Sequence, residues 1–283
     1  MIKIAHEVPV DFMQEMQKHT DYDYALACLF DKVPGYYEYF EQALKDGRHV
    51  LLDNGVFEDG KPMDEQEYAA WIDRLKPTEY IVPDIFDEAA ITVTNFHRWL
   101  ATYKNLPGQK IGVVQGKNLS EMTGCYEYMS SYADKIAINF ASIAYQSSPL
   151  TELMNNIPSN TWDFKAVYGR VMFIRLLLDG KTFNQDKPHH LLGCSLPIEF
   201  QLLKETPEGL NDDDDLRMID YFDTMDTSAP VVWGLLNGKY PADLGTITKK
   251  NKTKLKDLIT TKPTPEQTQN ILANAALFRE YLA

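Results

Sequence analysis

A chain of 283 residues with 44% hydrophobic and 24% charged side chains is long enough to bury one large α/β core and has the composition of a soluble globular protein. No apolar run approaches the ~20 residues of a bilayer span, and the start, Met1-Ile-Lys-Ile-Ala-His-Glu7, has no signal-peptide stretch, so a cytoplasmic protein without a membrane partner is expected. The formal charge of −13 excludes a generally basic surface, and the three scattered cysteines Cys28, Cys125 and Cys194 exclude a disulfide framework or a zinc ribbon, leaving each as a small buried side chain.

In chain order, residues 2–8 alternate and break at Pro9, which predicts a first strand, and 11–19 predict a short helix. An aromatic and aliphatic run over 22–30 is the second strand, followed by Pro34-Gly35 and a tyrosine-rich helix ending near Leu44. Strand three is 49–53. The next helix, 64–76, places Tyr68, Trp71, Ile72 and Leu75 on one face. Strand four is 80–84, with Pro83 near its end because proline lacks a ladder donor. A helix over 87–103, strand five over 110–115, a helix over 119–132 and strand six over 135–139 follow. Residues 149–178 are predicted helical, 189–194 strand seven, 197–205 a short helix and 218–226 strand eight. The terminal helix starts at Pro265, with Thr264 and Gln267 as a capping box.

Eight strands mostly separated by helices predict a single-domain (β/α)8 TIM barrel, with a doubly wound open sheet as the alternative. The barrel is assigned to residues 1–245, and 246–283 to a Lys-rich segment and a helix packing on it. No glycine spacing fits a dinucleotide fingerprint, and no cofactor is called for.

Four apolar runs close on a polar residue: Val50-Leu-Leu-Asp53-Asn54-Gly55, Tyr80-Ile-Val-Pro-Asp84, Ile111-Gly-Val-Val-Gln115-Gly116 and Tyr221-Phe-Asp-Thr-Met-Asp226. One Asp after a strand is commonly a turn former or helix cap. Four in register bring three carboxylates and a carboxamide to one barrel rim, where Asn139 and Cys194 also fall. Lys249, Lys250, Lys252, Lys254 and Lys256 within eight residues are either a local phosphate-binding groove or a solvated helix start or loop. The run Asp212 to Asp215 reads as a solvated acidic loop, since it lacks calcium-loop spacing.

These motifs, in this order, resemble the tRNA-guanine transglycosylases and their bacteriophage and bacterial DNA-modifying relatives over roughly residues 49–230. Asp53-Asn54-Gly55-Val-Phe57 is similar to the family's Asp-Ser-Gly-Gly-Phe, Pro83-Asp84 to its base-reading Asp, Val113-Val-Gln115-Gly116 to its Val-Gln-Gly, Leu191-Leu-Gly193 to its Met-Gly-Val-Gly, and Met225-Asp226 to the Phe-Asp before its Pro-Thr-Arg. Departures are Asn54 for a serine, Asn139-Phe140-Ala141 for the Gly-Gly-Leu turn, and Ser228-Ala229-Pro230 for Pro-Thr-Arg. The tRNA enzymes' Cys-x-Cys-x-x-Cys and distant His, a structural zinc site, have no counterpart here, which directs the expectation to the DNA enzymes and to no metal.

The resemblance implies exchange of guanine in DNA for a 7-deazaguanine resembling preQ0. Asp226 is the expected nucleophile, and Asp53 the general acid and base, its pKa raised by burial beside another carboxylate. Asp84, Gln115, Asn54, Gly116, Asn139 and Phe140 would bind the base, with Phe57, Phe86 or Phe140 stacking on it, and Lys249, Lys250 and Lys252 would meet the nucleic acid. If the gene is a phage's, the compartment is the host cytoplasm. Rival readings are the same exchange on tRNA, a catalytically silent accessory subunit, and a barrel hydrolase with a metal on the acidic rim. His189 and His190 do not support the last, because neighbours on a strand face opposite ways.

Overall fold

A computed structural model describes residues 2–146, 161–204 and 217–282. Eight strands, β1 (Lys3–His6), β2 (Asp23–Leu26), β3 (Val50–Asp53), β4 (Glu79–Ile81), β5 (Gln109–Val114), β6 (Lys135–Asn139), β7 (His189–Leu192) and β8 (Thr224–Thr227), form one parallel sheet in the order β1-β8-β7-β6-β5-β4-β3-β2. The two strands at the ends of that order, β1 and β2, meet, so the sheet is a barrel and not an open doubly wound sheet. No ladder joins this seam. Asp21, just before β2, joins it instead: its N–H donates to the Ile4 carbonyl at 2.8 Å and its Oδ2 accepts from the Ile4 N–H at 2.8 Å. The Thr20 hydroxyl donates to the same carbonyl at 3.1 Å and accepts from the His6 N–H at 3.0 Å. The Ile4 N–H and carbonyl and the His6 N–H are therefore satisfied although no strand pairs with that edge.

Helices α1 (Met13–Met16), α2 (Tyr36–Lys45), α3 (Val56–Asp59), α4 (Glu65–Leu75), α5 (Ala89–Thr102), α6 (Leu119–Tyr132), α7 (Trp162–Asp179), α8 (Ile198–Leu203), α9 (Ala229–Leu235) and α10 (Pro265–Leu282) lie between and after the strands. Four of them, α4, α6, α7 and α10, start on side-chain caps. Asp64 accepts from the Gln66 and Glu67 N–H groups to begin α4, which buries Tyr68, Trp71, Ile72 and Leu75. Asn118 and Thr161 cap α6 and α7. Thr264 and Gln267 form the expected reciprocal capping box, at 3.2 and 2.8 Å. Helix α10 packs on α9 closely enough that a Cβ on Gly234 would lie 2.6 Å from the Ile271 nitrogen.

Most strands are shorter or displaced relative to their sequence assignments, and four of them have a clear local reason. The second ends at Leu26, where residues 27–29 wind into a 3-10 turn. The fourth ends at Ile81, although the Val82 N–H still donates to the Ile111 carbonyl before Pro83 removes the next donor. The seventh stops at Leu192, before Gly193 turns with φ +70°. The eighth begins at Thr224, because the Asp220 carboxylate accepts from the Arg217 N–H and guanidinium while the Asp220 N–H donates to the Arg217 carbonyl, which holds 218–221 as a 3-10 turn. Residues 149–160 of the predicted long helix, Glu205 and the Asp212 to Asp215 run lie outside the described residues. Among the described residues no helix is long and apolar enough to cross a membrane.

At the N-terminal end of the barrel, the carboxylate of Glu79, 1% exposed, receives both oxygens' bonds from Lys135 Nζ at 3.0 Å and lies 2.9 Å from His49 Nε2. Although burial works against the charge, the bonds and charges of His49 and Lys135 outweigh it and hold this carboxyl down at about 2.

Candidate functional site at the C-terminal end of the barrel

The opposite end opens into a cavity of about 360 Å³. The last residue of β3 (Asp53), of β6 (Asn139), the residue following β5 (Gln115), Asp226 within β8, and Asp84 just beyond β4 all line it, as Phe140 does. The four strand-end motifs therefore converge as expected. Asn54 and Gly116 do not line the cavity. Asn54 stands behind the wall, its Nδ2 3.4 Å from Asp84 Oδ1 and its Oδ1 accepting from the Val56 N–H. Gly116 is pressed against α6, where a Cβ would lie 2.7 Å from the Met122 nitrogen. Both stand behind residues that line the cavity, whereas the resemblance implies that they contact the base.

Asp226, 3% exposed, is held from beneath by His190 on β7, whose Nε2 lies 3.0 Å from Oδ1, and by the Gly193 N–H at 2.9 Å on the same oxygen. His190 Nδ1 lies 2.9 Å from the Thr224 hydroxyl. With Asp226 ionised, Nε2 carries the proton and donates, and in the neutral ring the threonine hydroxyl donates to Nδ1. Both side-chain bonds converge on Oδ1, and among the described residues none is made by Oδ2. One oxygen is thus fixed in place. The neighbouring His189 points the opposite way, with Nε2 2.8 Å from the Tyr126 hydroxyl, so strand parity separates the two histidines.

Asp53, 6% exposed, accepts from the Tyr24 hydroxyl at Oδ2 and from the Gly55 N–H at Oδ1, 2.9 Å. Burial pushes its carboxyl up to about 6, with the Asp226 charge adding to the rise and the hydrogen bonds opposing it. Two further carboxylates line the same cavity, Glu7 just after β1 and Glu58 on α3. Burial, followed by the charges of its neighbours, holds each well above the usual carboxylate range. Neither was identified from sequence. Glu7 carried the same signal as the others, an apolar run closing on an acid in Lys3-Ile-Ala-His-Glu7, whereas Glu58 and Tyr24 carried none.

Asp84, 2% exposed and pushed by burial up to about 6, is the centre of a carboxylate–amide chain. Gln115 Nε2 donates to Asp84 Oδ2 at 2.7 Å, while Gln115 Oε1 accepts from the Asp87 N–H at 3.0 Å and from Asn139 Nδ2 at 2.8 Å. Because a backbone N–H can only donate, the amide orientation of Gln115 is set: its NH2 faces Asp84. The Tyr145 hydroxyl reaches the Asn139 carbonyl at 2.8 Å and its Oδ1 at 3.1 Å. Arg170 on α7 ties the β6 and β7 ends together from behind, donating to the carbonyls of Ile138 and Leu192 while paired with Glu199, both side chains fully buried.

The Lys-rich segment crosses the cavity mouth, and Lys250, Lys252 and Lys254 line it. Lys249 is exposed and outside the lining. The segment is a loop that leads into a 3-10 turn at Leu255–Leu258, and it is tied to the rest of the barrel. Thr161 donates to the Thr248 carbonyl at 2.7 Å, Asp163 accepts from the Lys250 N–H at 3.1 Å, and Lys254 and Lys256 Nζ donate to the Phe57 and Glu58 carbonyls at 2.6 and 2.5 Å. Phe57 is 42% exposed and Phe140 6%.

Among the described residues, no three or more His, Cys, Asp or Glu side chains are grouped so as to hold a metal ion. Comparison of the chain with protein-family models and with curated proteins returns no match to either.

Proposed function

We propose that this chain is a guanine transglycosylase that exchanges guanine in DNA for a 7-deazaguanine through a covalent aspartyl intermediate. The observation that carries the reading is that two buried carboxylates with different surroundings, Asp226 anchored through Oδ1 alone and Asp53 raised to about 6, share one cavity with the Asp84–Gln115–Asn139 chain.

In this reading Asp226 Oδ2 attacks C1′ of the target nucleotide, the C1′–N9 bond breaks, and guanine leaves with the bonding pair on N9, taking a proton from the Asp53 carboxyl. The incoming 7-deazaguanine gives its N9 proton back to Asp53. Its N9 then attacks C1′ and displaces the Asp226 carboxylate. A carboxyl near 6 can hold and release that proton close to neutral pH. Asp84 would accept from the N1–H and exocyclic amine of the purine edge, and the second Gln115 Nε2 proton would donate to O6. Adenine, with an acceptor at N1, would leave Asp84 unpaired and is disfavoured. A target base must leave its stack to reach a cavity at the barrel end.

The test is incorporation of labelled 7-deazaguanine, or exchange of labelled guanine, with DNA and tRNA offered in parallel, together with denaturing gels of the covalent adduct. Wild-type protein is expected to form the adduct on DNA and Asp226→Asn to form none, since an amide cannot give the glycosyl ester. Asp53→Asn is expected to form adduct with turnover slowed about 10²–10⁴-fold. Adduct from Asp226→Asn, or loss of adduct only in Asp53→Asn, would exchange the two roles. Exchange on tRNA alone would move the substrate, and no exchange on either would reject the activity.

A further inference from the structure

We infer that Trp162 and Phe57, clamped around Lys250 at the cavity mouth, form a stacking platform for an unpaired nucleic-acid strand on its way into the site. This rests on the base-exchange reading for the identity of the partner. Among the described residues the large exposed aromatics are Phe57 at 42%, Trp162 at 45% and Tyr132 at 54%. Two of the three meet at a single lysine: Lys250 Nζ lies 5.9 Å from the Trp162 ring centre, 5.3 Å from Phe57 and 5.0 Å from Phe140, and Lys254 Nζ lies 4.8 Å from Phe57. Each ammonium occupies part of the rings' surroundings, and nearly half of the Phe57 and Trp162 surface remains open.

The platform is rigidly mounted. Trp162 opens α7, directly after the capping residue Thr161, whose hydroxyl also holds the Thr248 carbonyl at 2.7 Å, and the Asp163 carboxylate holds the Lys250 N–H at 3.1 Å. The rings and the lysines are thus held to one another across three segments far apart in the chain. In a chain of net charge −13, the cluster Lys249, Lys250, Lys252 and Lys254 is where charge complementarity favours a polyanion, the neighbouring Lys256 being paired with Asp59 at 3.0 Å. Aromatic faces interleaved with lysines fit a single strand in particular, because its bases have free faces to stack and a duplex keeps its own covered.

The experiment uses oligothymidylate, which has no guanine, so its binding does not depend on exchange chemistry. Affinity is measured by polarisation of labelled oligonucleotide, and the Trp162 indole by the part of the emission that the wild type shows and Trp162→Phe lacks, since Trp71, Trp99 and Trp233 also emit. Bound oligothymidylate is expected to quench Trp162. Trp162→Ala is expected to weaken binding about 5- to 100-fold, the range alanine substitution costs a base–aromatic stack. Trp162→Phe, which keeps a stacking face, retains most of the affinity, and a matched duplex or heparin binds without quenching the indole. Emission unmoved by bound oligothymidylate, wild-type affinity in Trp162→Ala, Trp162→Phe as weak as Trp162→Ala, or equal response to duplex or heparin would each overturn the platform. Stacking behaviour without exchange on any guanine-containing substrate would reject the base-exchange reading alone, and exchange without stacking behaviour would reject the platform alone.

Discussion

The two ends of the barrel handle buried carboxylates in opposite ways. At the N-terminal end, Glu79 is surrounded by donors, Lys135 and His49, and its carboxyl is held down at about 2. At the C-terminal end Glu7, Asp53, Glu58, Asp84 and Asp226 crowd one cavity, and among the described residues none is ion-paired to a lysine or arginine. Asp53 and Asp84 are both pushed up to about 6. One end faces its buried carboxylate with basic side chains and the other does not, and burial then raises the carboxyls at the strand C-termini.

The largest effect expected from breaking this contrast is at the paired end. Lys135→Met leaves Glu79 with His49 alone in a nearly inaccessible position and should cost about 3 kcal/mol, the lower part of the range for breaking a buried pair. Urea unfolding at neutral pH checks it, and Lys135→Met combined with Glu79→Leu should recover part of the loss. A fall well under ~1 kcal/mol in the single variant would mean that the pair behaves like an exposed one.

A comparable effect of opposite sign is expected at the unpaired end, and pH separates the two. Asp53 has a folded-state pKa raised above its unfolded value, so its contribution is fully present below about 4 and is lost as pH rises through about 6. Asp53→Asn should therefore be more stable than wild type by up to ~3 kcal/mol at pH 8 and no more stable at pH 4. Glu79 has a depressed pKa, so its contribution is present above about 4.5 and is lost as pH falls through about 2. Stability of Glu79→Gln relative to wild type should accordingly improve only in the acid range. Equal pH profiles for wild type and Asp53→Asn would show that the cavity carboxylates are not strained in the folded state.

The smallest expected effect sharpens the comparison at the rim, where, among the described residues, the lysines cross the acidic mouth without pairing with Asp53 or Asp226. Neutralising Lys249, Lys250 and Lys252 together should weaken oligonucleotide binding and reduce the dependence of log K on log salt by about 1 for each phosphate that no longer meets a lysine. Because Lys249 stands outside the cavity lining, Lys250→Gln should account for more of the weakening than Lys249→Gln. Equal contributions would place the strand away from the mouth.

Local sequence determined the elements and much of the site, because strand period, helix caps and the polar residue that ends each apolar run are short-range properties. Asp64, Asn118, Thr161 and Thr264 cap where side-chain oxygens meet the first free N–H groups, and Asp53, Asp84, Gln115, Asn139 and Asp226 stand at one rim because parallel strands put all their C-terminal ends on the same side. Only the tertiary structure decided what those residues lean on. The support of Asp226 by His190 requires β7 beside β8, and that of Asp53 by Tyr24 requires β2 beside β3. The carriage of Lys250 to Phe57 and Trp162 joins segments far apart in the chain. The raised carboxyls belong to the same class, since burial and the sum of neighbouring charges are properties of the closed barrel and of no single segment.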